Sequence, residues 1–205
     1  MVPIALVFVG DSDIARWPPS HLPSFYGRNK HEYHYAHCGA HLNDLSEQVK
    51  RSISEITESL VSYNQIIFIA CAGENDLSSC TVDEIVLSFR KFIDSIFESS
   101  IISCTKRVFF FGPKLEPWLK DDTAARRSYF QLSERIKQLC NKEENNVHFI
   151  DCLTMFCSND TKPKSVIGGE AKADSLYFED DGLHLNMEGY ILWKKEIEAL
   201  ITKVL

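Results

Sequence analysis

The stretch Val7-Phe8-Val9-Gly10-Asp11-Ser12-Asp13-Ile14 decides how the rest of this sequence is read. It continues an apolar run from Pro3 to Val9, rich in Val, Ile and Phe, which has the pattern of a strand buried on both faces. Gly10 ends the run at a point where a turn can begin without steric cost. Ser12 then stands just past the carboxyl end of the strand, the edge of an open α/β sheet where ligands and reacting groups collect. Taken alone, Ser12 is as readily a helix N-cap or a turn residue. The partners that lie downstream decide between the two.

Working outward, Ala15 to Pro19 closes a short helical turn, because Pro18 and Pro19 restrict their neighbours. Residues 18–31 read as loop. His34 to Cys38 is β-compatible and forms the second strand, with Gly39 at the junction to a helix. Asn43 or Asp44 caps that helix, whose apolar face is Leu45, Val49, Ile53, Ile56 and Leu60. Gln65 to Cys71 is a second continuous apolar strand, ending in the turn-rich run Ala72-Gly73-Glu74-Asn75-Asp76. Thr81 opens a helix with Asp83 and Glu84 in its first turn, at the positive end of the dipole. Arg107–Phe111 is a strand broken by Gly112-Pro113, residues 123–141 a helix, and Val147–Ile150 a short strand. Residues 158–176, with Asn159, Pro163, Gly168 and Gly169, read as an extended surface loop, and Met187–Val204 as an amphipathic closing helix. Continuous apolar strands alternating with helices argue a parallel sheet covered on both faces. With no repeat, linker or low-complexity segment, the expectation is one domain over residues 1–205.

Composition narrows the function. At 205 residues and a net charge of −7, the chain has no basic patch with which to neutralise phosphates, Arg126-Arg127 being its longest basic cluster. Nucleic acid is therefore not expected as a partner. No apolar run reaches the roughly 18 residues needed to cross a bilayer. The first apolar run lacks a basic flank and belongs to a strand, so no signal peptide is expected. The seven cysteines, an odd number without CxxC spacing, suit buried thiols in a reducing compartment and a cytoplasmic address.

Four pieces fall at or beyond strand ends: Ser12, Gly39, Asn75 and the run Asp181-Gly182-Leu183-His184. In a parallel sheet they gather at one edge, and their chemistry suits acyl transfer. A serine hydroxyl needs a base, for which His184 is the candidate. The histidine in turn needs a carboxylate to hold its tautomer, and Asp181 lies three residues away. An oxyanion needs donors, which the Ser12 and Gly39 backbone N–H groups and the Asn75 amide can provide.

Gly10-Asp11-Ser12, Gly39, the GENDL run Gly73–Leu77 and the DGLHLN run Asp181–Asn186 together resemble, in order, the four sequence blocks of the SGNH (GDSL-type) hydrolases. The resemblance covers essentially the whole chain. Gly112-Pro113-Lys114 with Trp118 is similar to the loop after strand four in a compact bacterial-type branch. It implies a flavodoxin-like three-layer α/β/α sandwich with a five-stranded parallel sheet in the order 2-1-3-4-5. It also implies Ser12 as nucleophile, His184 as base, Asp181 as its orienting partner, and Ser12, Gly39 and Asn75 as oxyanion hole. No metal or other cofactor is implied. Asp13 departs from the pattern, placing a second carboxylate beside the nucleophile where it would disfavour anionic substrates. The 158–176 loop is a second departure, longer than the compact branch leads one to expect.

The remaining polar residues have plainer readings. The cluster His31, His34, His37 and His41 with Cys38 matches neither HExxH nor paired zinc-finger spacing, and alternation along a strand splits it between faces. His148 reads as structural and Asp76 as a turn or helix-cap acid. Arg16, Trp17 and Trp118 read as core or rim, with Asp13, Trp17 and Trp118 the candidates to contact substrate. The expected activity is hydrolysis of a small-molecule acyl ester through an acyl-enzyme. The alternative is a catalytically silent module binding an acylated sugar or lipid. A nucleotide or flavin site lacks any glycine-rich phosphate run. Oligomeric state is not legible.

Overall fold

Five parallel strands form one sheet in the order β2-β1-β3-β4-β5, as the resemblance implied. The computed structural model describes residues 3–24, 29–98, 104–142, 146–158 and 171–204. The strands are β1 (Ile4–Gly10), β2 (Lys30–His34), β3 (Gln65–Cys71), β4 (Thr105–Phe111) and β5 (Val147–Ile150). β1 and β3 are buried along their full length, which is why both read as unbroken apolar runs. In register, Val7 lies between Tyr33 and Phe68, and Gly10 sits beside Cys71.

Alternate side chains of each strand feed two cores. Ala5, Val7 and Val9 pack under α2 (Leu42–Glu58), α3 (Val82–Phe97) and α4 (Thr123–Cys140). Ile4, Leu6 and Phe8 pack on the opposite face with Ile14 of α1 (Ser12–Ala15), Cys152 of α5 (Cys152–Met155) and Trp193 of α6 (Met187–Val204). Trp193 is fully buried and stacks on Phe111 at 4.1 Å between ring centroids. Among the described residues no helix is long and apolar enough to cross a membrane. All seven cysteines are free thiols.

Several boundaries differ from the sequence reading. β2 is Lys30–His34, not His34–Cys38. As an edge strand it is only half covered, so KHEYH carries no apolar signature. Past its end the chain still follows β1, with Tyr35 N–H donating to Phe8 O at 2.9 Å and His37 N–H to Gly10 O at 3.1 Å. The N-cap of α2 is His41 rather than Asn43 or Asp44. Asp44 acts from inside the first turn, accepting the His41 N–H at 2.8 Å. Leu60 leaves the apolar stripe altogether. It lies past the helix end at φ +56° and is 93% exposed. Of the loop expected at 158–176, residues 159–170 lie outside the described residues. Its end is anchored by the Cys157–Ala173 bridge and by Ser158 N–H donating to Lys172 O at 2.8 Å.

Candidate active site

The site is assembled where the chain leaves β1, β2, β3 and β4, with a contribution from the loop before α6. At the end of β1 the backbone turns at φ +145° on Gly10, and a Cβ there would lie 2.2 Å from Cys71 O. Only glycine fits. Gln48 of α2 holds both polar groups of this residue, accepting the Gly10 N–H at 2.7 Å and donating to Gly10 O at 3.1 Å. Asp11 caps α1 by accepting the Asp13 N–H at 3.1 Å. Ser12, the first residue of that helix, is thereby set at the mouth of the sheet.

Gly39 takes φ +77° in open space, so the backbone conformation rather than crowding favours glycine there. Asn75 begins a short 3-10 turn and donates one amide hydrogen to Ala40 O at 3.0 Å. Its carboxamide is thus tied to the loop that bears Gly39. Asp76 is buried and accepts the Leu42 N–H at 3.0 Å, with His41 Nδ1 3.5 Å away. It is a helix-cap acid as read, but it caps α2 rather than its own turn.

His184 and Asp181 form a compact pair. Nδ1 of His184 lies 2.7 Å from Oδ2 of Asp181, whose Oδ1 accepts the backbone N–H groups of Leu183 at 2.8 Å and His184 at 3.0 Å. The histidine ring, followed by these two N–H groups, holds the Asp181 carboxyl well below the usual carboxylate range. Among the described residues no hydrogen bond engages the other ring nitrogen, Nε2. Ser12, Gly39, Asn75 and His184 line a single pocket of about 180 Å³. Such an arrangement can take a proton from a hydroxyl and hold an oxyanion.

In the pocket wall lies a feature that the sequence reading missed. Lys114, just after β4, is fully buried, with its Nζ 2.5 Å from Asp13 Oδ2, 2.5 Å from Glu74 Oε2 and 3.1 Å from Glu116 Oε1. Burial works against the ammonium, but Asp13, Glu74 and Glu116 outweigh it and keep Lys114 charged. The acids exceed the one base. Burial, with Asp13 and Glu74 nearby, pushes Asp11 well up. Burial, with Glu74 nearby, pushes Glu116 up to about 8. Oε2 of Glu116 accepts from Trp118 Nε1 at 2.6 Å and from Tyr129 OH at 3.1 Å.

Three sequence expectations about substrate contact change accordingly. Asp13 does line the pocket, but it is ion-paired to Lys114 and is not an unopposed carboxylate. Trp17 does not line it. Its ring is buried among Phe8, Phe111 and Trp193, its Nε1 donates to His21 O at 2.9 Å, and it faces a separate neighbouring cavity. Trp118 is not among the lining residues either; it is 38% exposed, packs edge-on against Tyr129 and donates through its indole to Glu116. The four histidines of the early cluster have separate surroundings. Nδ1 of His31 meets Tyr63 OH at 2.6 Å, His34 stacks on Phe8, His37 meets Gln48, and His41 lies beside Asp76.

Residues 6–197 match the sequence pattern of the GDSL-like lipase/acylhydrolase family. This chain belongs to that family. Solved structures share the fold of this acylhydrolase-family protein at low identity. A member of the lipolytic G-D-S-L family from Veillonella parvula superposes with a TM-score of 0.70 at 14% identity, covering 97% of this chain and 98% of that one. A lipase from a goat rumen metagenome gives 0.65 at 13% identity, with 96% of each chain covered. An acetylxylan esterase from Geobacillus stearothermophilus, in a catalytic mutant, gives 0.58 at 15% identity, covering 94% of this chain and 91% of that one. No curated protein sequence matches the chain. At these identities the likeness is one of fold, and the family membership supports hydrolase activity.

Proposed function

We propose that this protein hydrolyses carboxylic esters of small acyl groups through a covalent acyl-enzyme. The observation that carries this reading is the shared pocket of Ser12 and His184, with the far side of the imidazole bound to Asp181 at 2.7 Å. In the proposed mechanism, Ser12 Oγ attacks the ester carbonyl carbon as His184 Nε2 takes its proton. Asp181 accepts from Nδ1–H, holding the tautomer and stabilising the imidazolium.

The carbonyl oxygen then gains negative charge against the N–H groups of Ser12 and Gly39 and the Asn75 amide. Among the described residues no backbone carbonyl accepts either of those two N–H groups, which leaves them available to the oxyanion. Collapse of the tetrahedral intermediate breaks the bond to the alcohol, which leaves with the proton from His184. A water deprotonated by the same histidine attacks the acyl-serine, and the acid departs as the serine regains its proton. No step draws on a metal or organic cofactor.

Ser12→Ala tests the reading. Turnover of p-nitrophenyl acetate is expected to fall by at least about 10³-fold, since loss of a nucleophile typically costs several orders of magnitude. A fluorophosphonate should label Ser12 in the parent protein. Pure Ser12→Ala protein that turns over the ester at the parent rate would eliminate the mechanism. Binding of an acylated ligand with no labelling and no turnover would mark the chain as a silent binding module.

A further inference from the structure

Lys114 lines the pocket, but its ammonium is turned to carboxylates of the protein. Its side chain is 1% exposed, its Nζ donates to Asp13 and Glu74, and the Glu116 carboxyl lies 3.1 Å away on the remaining side. The identity of those carboxylates gives the lysine its significance. Asp13 is the residue after Ser12, and Glu74 is the residue before Asn75. Glu116 and Lys114 itself belong to the segment that follows β4. Glu74 grips this segment twice, since its Oε1 also accepts the Lys114 backbone N–H at 2.5 Å. Asp13 is held from the opposite core as well, its carbonyl accepting from Tyr190 OH at 3.0 Å. One buried charge therefore ties together the ends of β1, β3 and β4.

Resting on the reading of Ser12 and Asn75 given above, we infer that Lys114 is a positioning residue for the reaction: through Asp13 and Glu74 it fixes the spacing between the Ser12 hydroxyl and the Asn75 oxyanion donor. The physical reason is the cost of any alternative. Asp13, Glu74 and Glu116 crowd one buried point, and Lys114 is the cation that offsets their mutual repulsion. Removing it leaves uncompensated charge, which is relieved by loop separation or by taking up protons. Either outcome loosens a donor whose alignment must hold to a fraction of an ångström. Rotating Glu74 away also removes the backbone constraint on its neighbour Asn75.

The test is a double-mutant cycle read by kcat and KM on p-nitrophenyl acetate, with circular dichroism confirming that each variant is folded. Lys114→Met is expected to lower kcat by about 100-fold, comparable to loss of one oxyanion donor, while KM moves by less than about threefold. Because the lysine acts largely through Asn75, the same change made in Asn75→Ala should cost at least about tenfold less than in the parent. A lysine needed only for folding has no reason to couple to Asn75. Lys106→Met supplies the comparison. That lysine is also buried and donates to Ile96 O at 2.9 Å, remote from the pocket, and its loss should leave kcat within about threefold.

If Lys114→Met does not fold, Glu74→Gln keeps the volume and is read by the same cycle. A kcat loss below about threefold, or one of equal size in both backgrounds, overturns the inference. The underlying ester-hydrolase reading fails separately, on Ser12→Ala alone.

Discussion

Glu116→Gln isolates the proton that the buried cluster holds. Glu116 is wrapped by Lys114, Trp118 and Tyr129 and titrates near 8, where burial first and Glu74 second disfavour its ionised form. In the unfolded chain the same carboxyl titrates near its ordinary value of 4.5. Between those limits the folded state binds the extra proton, so stability is greatest below the unfolded value and declines as pH rises towards 8. One fully differential proton gives a slope of about 1.4 kcal/mol per pH unit, which caps the decline from pH 5 to 8 at about 4 kcal/mol. Asp11, raised in the same cluster, shares that uptake, and the expected contribution of Glu116 is about 1–2 kcal/mol.

Glutamine keeps the size and removes the titration. The assay is urea unfolding of parent and variant at constant ionic strength at pH 5, 6, 7 and 8, compared as the difference between them. The variant should be the less stable of the two at pH 5, where it cannot satisfy Lys114 and the Trp118 and Tyr129 donors at once. It should gain on the parent steadily to pH 8. A difference constant within about 0.5 kcal/mol over that range would refute the reasoning.

Two further substitutions probe the site's frame. Gly10→Ala places a methyl 2.2 Å from Cys71 O at φ +145°, so strain and overpacking together should cost about 2–5 kcal/mol in urea unfolding. A loss under about 1 kcal/mol would mean that the β1–β3 contact yields more easily than its geometry implies. Asp181→Asn should leave stability nearly unchanged, because the side chain is 47% exposed. It should nevertheless lower kcat on p-nitrophenyl acetate by about 10²–10⁴-fold through loss of the tautomer lock, and undiminished kcat would remove Asp181 from the proposed triad.

The architecture was legible in the chain because β1 and β3 are buried on both faces, and two-sided burial writes an unbroken apolar run. The edge strand β2 was misplaced for the converse reason: KHEYH meets solvent along much of its length, and no one-dimensional pattern distinguishes it from loop. Gln48 left a faint signal, a polar residue among the apolar positions Leu45, Val49 and Ile53. Its task of clamping Gly10 from 38 residues away emerges only when α2 packs on the sheet.

By itself the sequence determined the strand–helix alternation and the positions of the residues from which an acyl-transfer site could be built. Asp181 and His184 could be paired in advance because a tight loop joins residues three apart. The tertiary structure alone decided which groups neutralise Asp13, that Trp17 and Trp118 stay out of the pocket lining, and that one lysine binds the ends of three strands. Lys114 and Asp13 are 101 residues apart, and charge pairing at that distance depends on burial and direction, quantities that exist only once the sheet has closed around them.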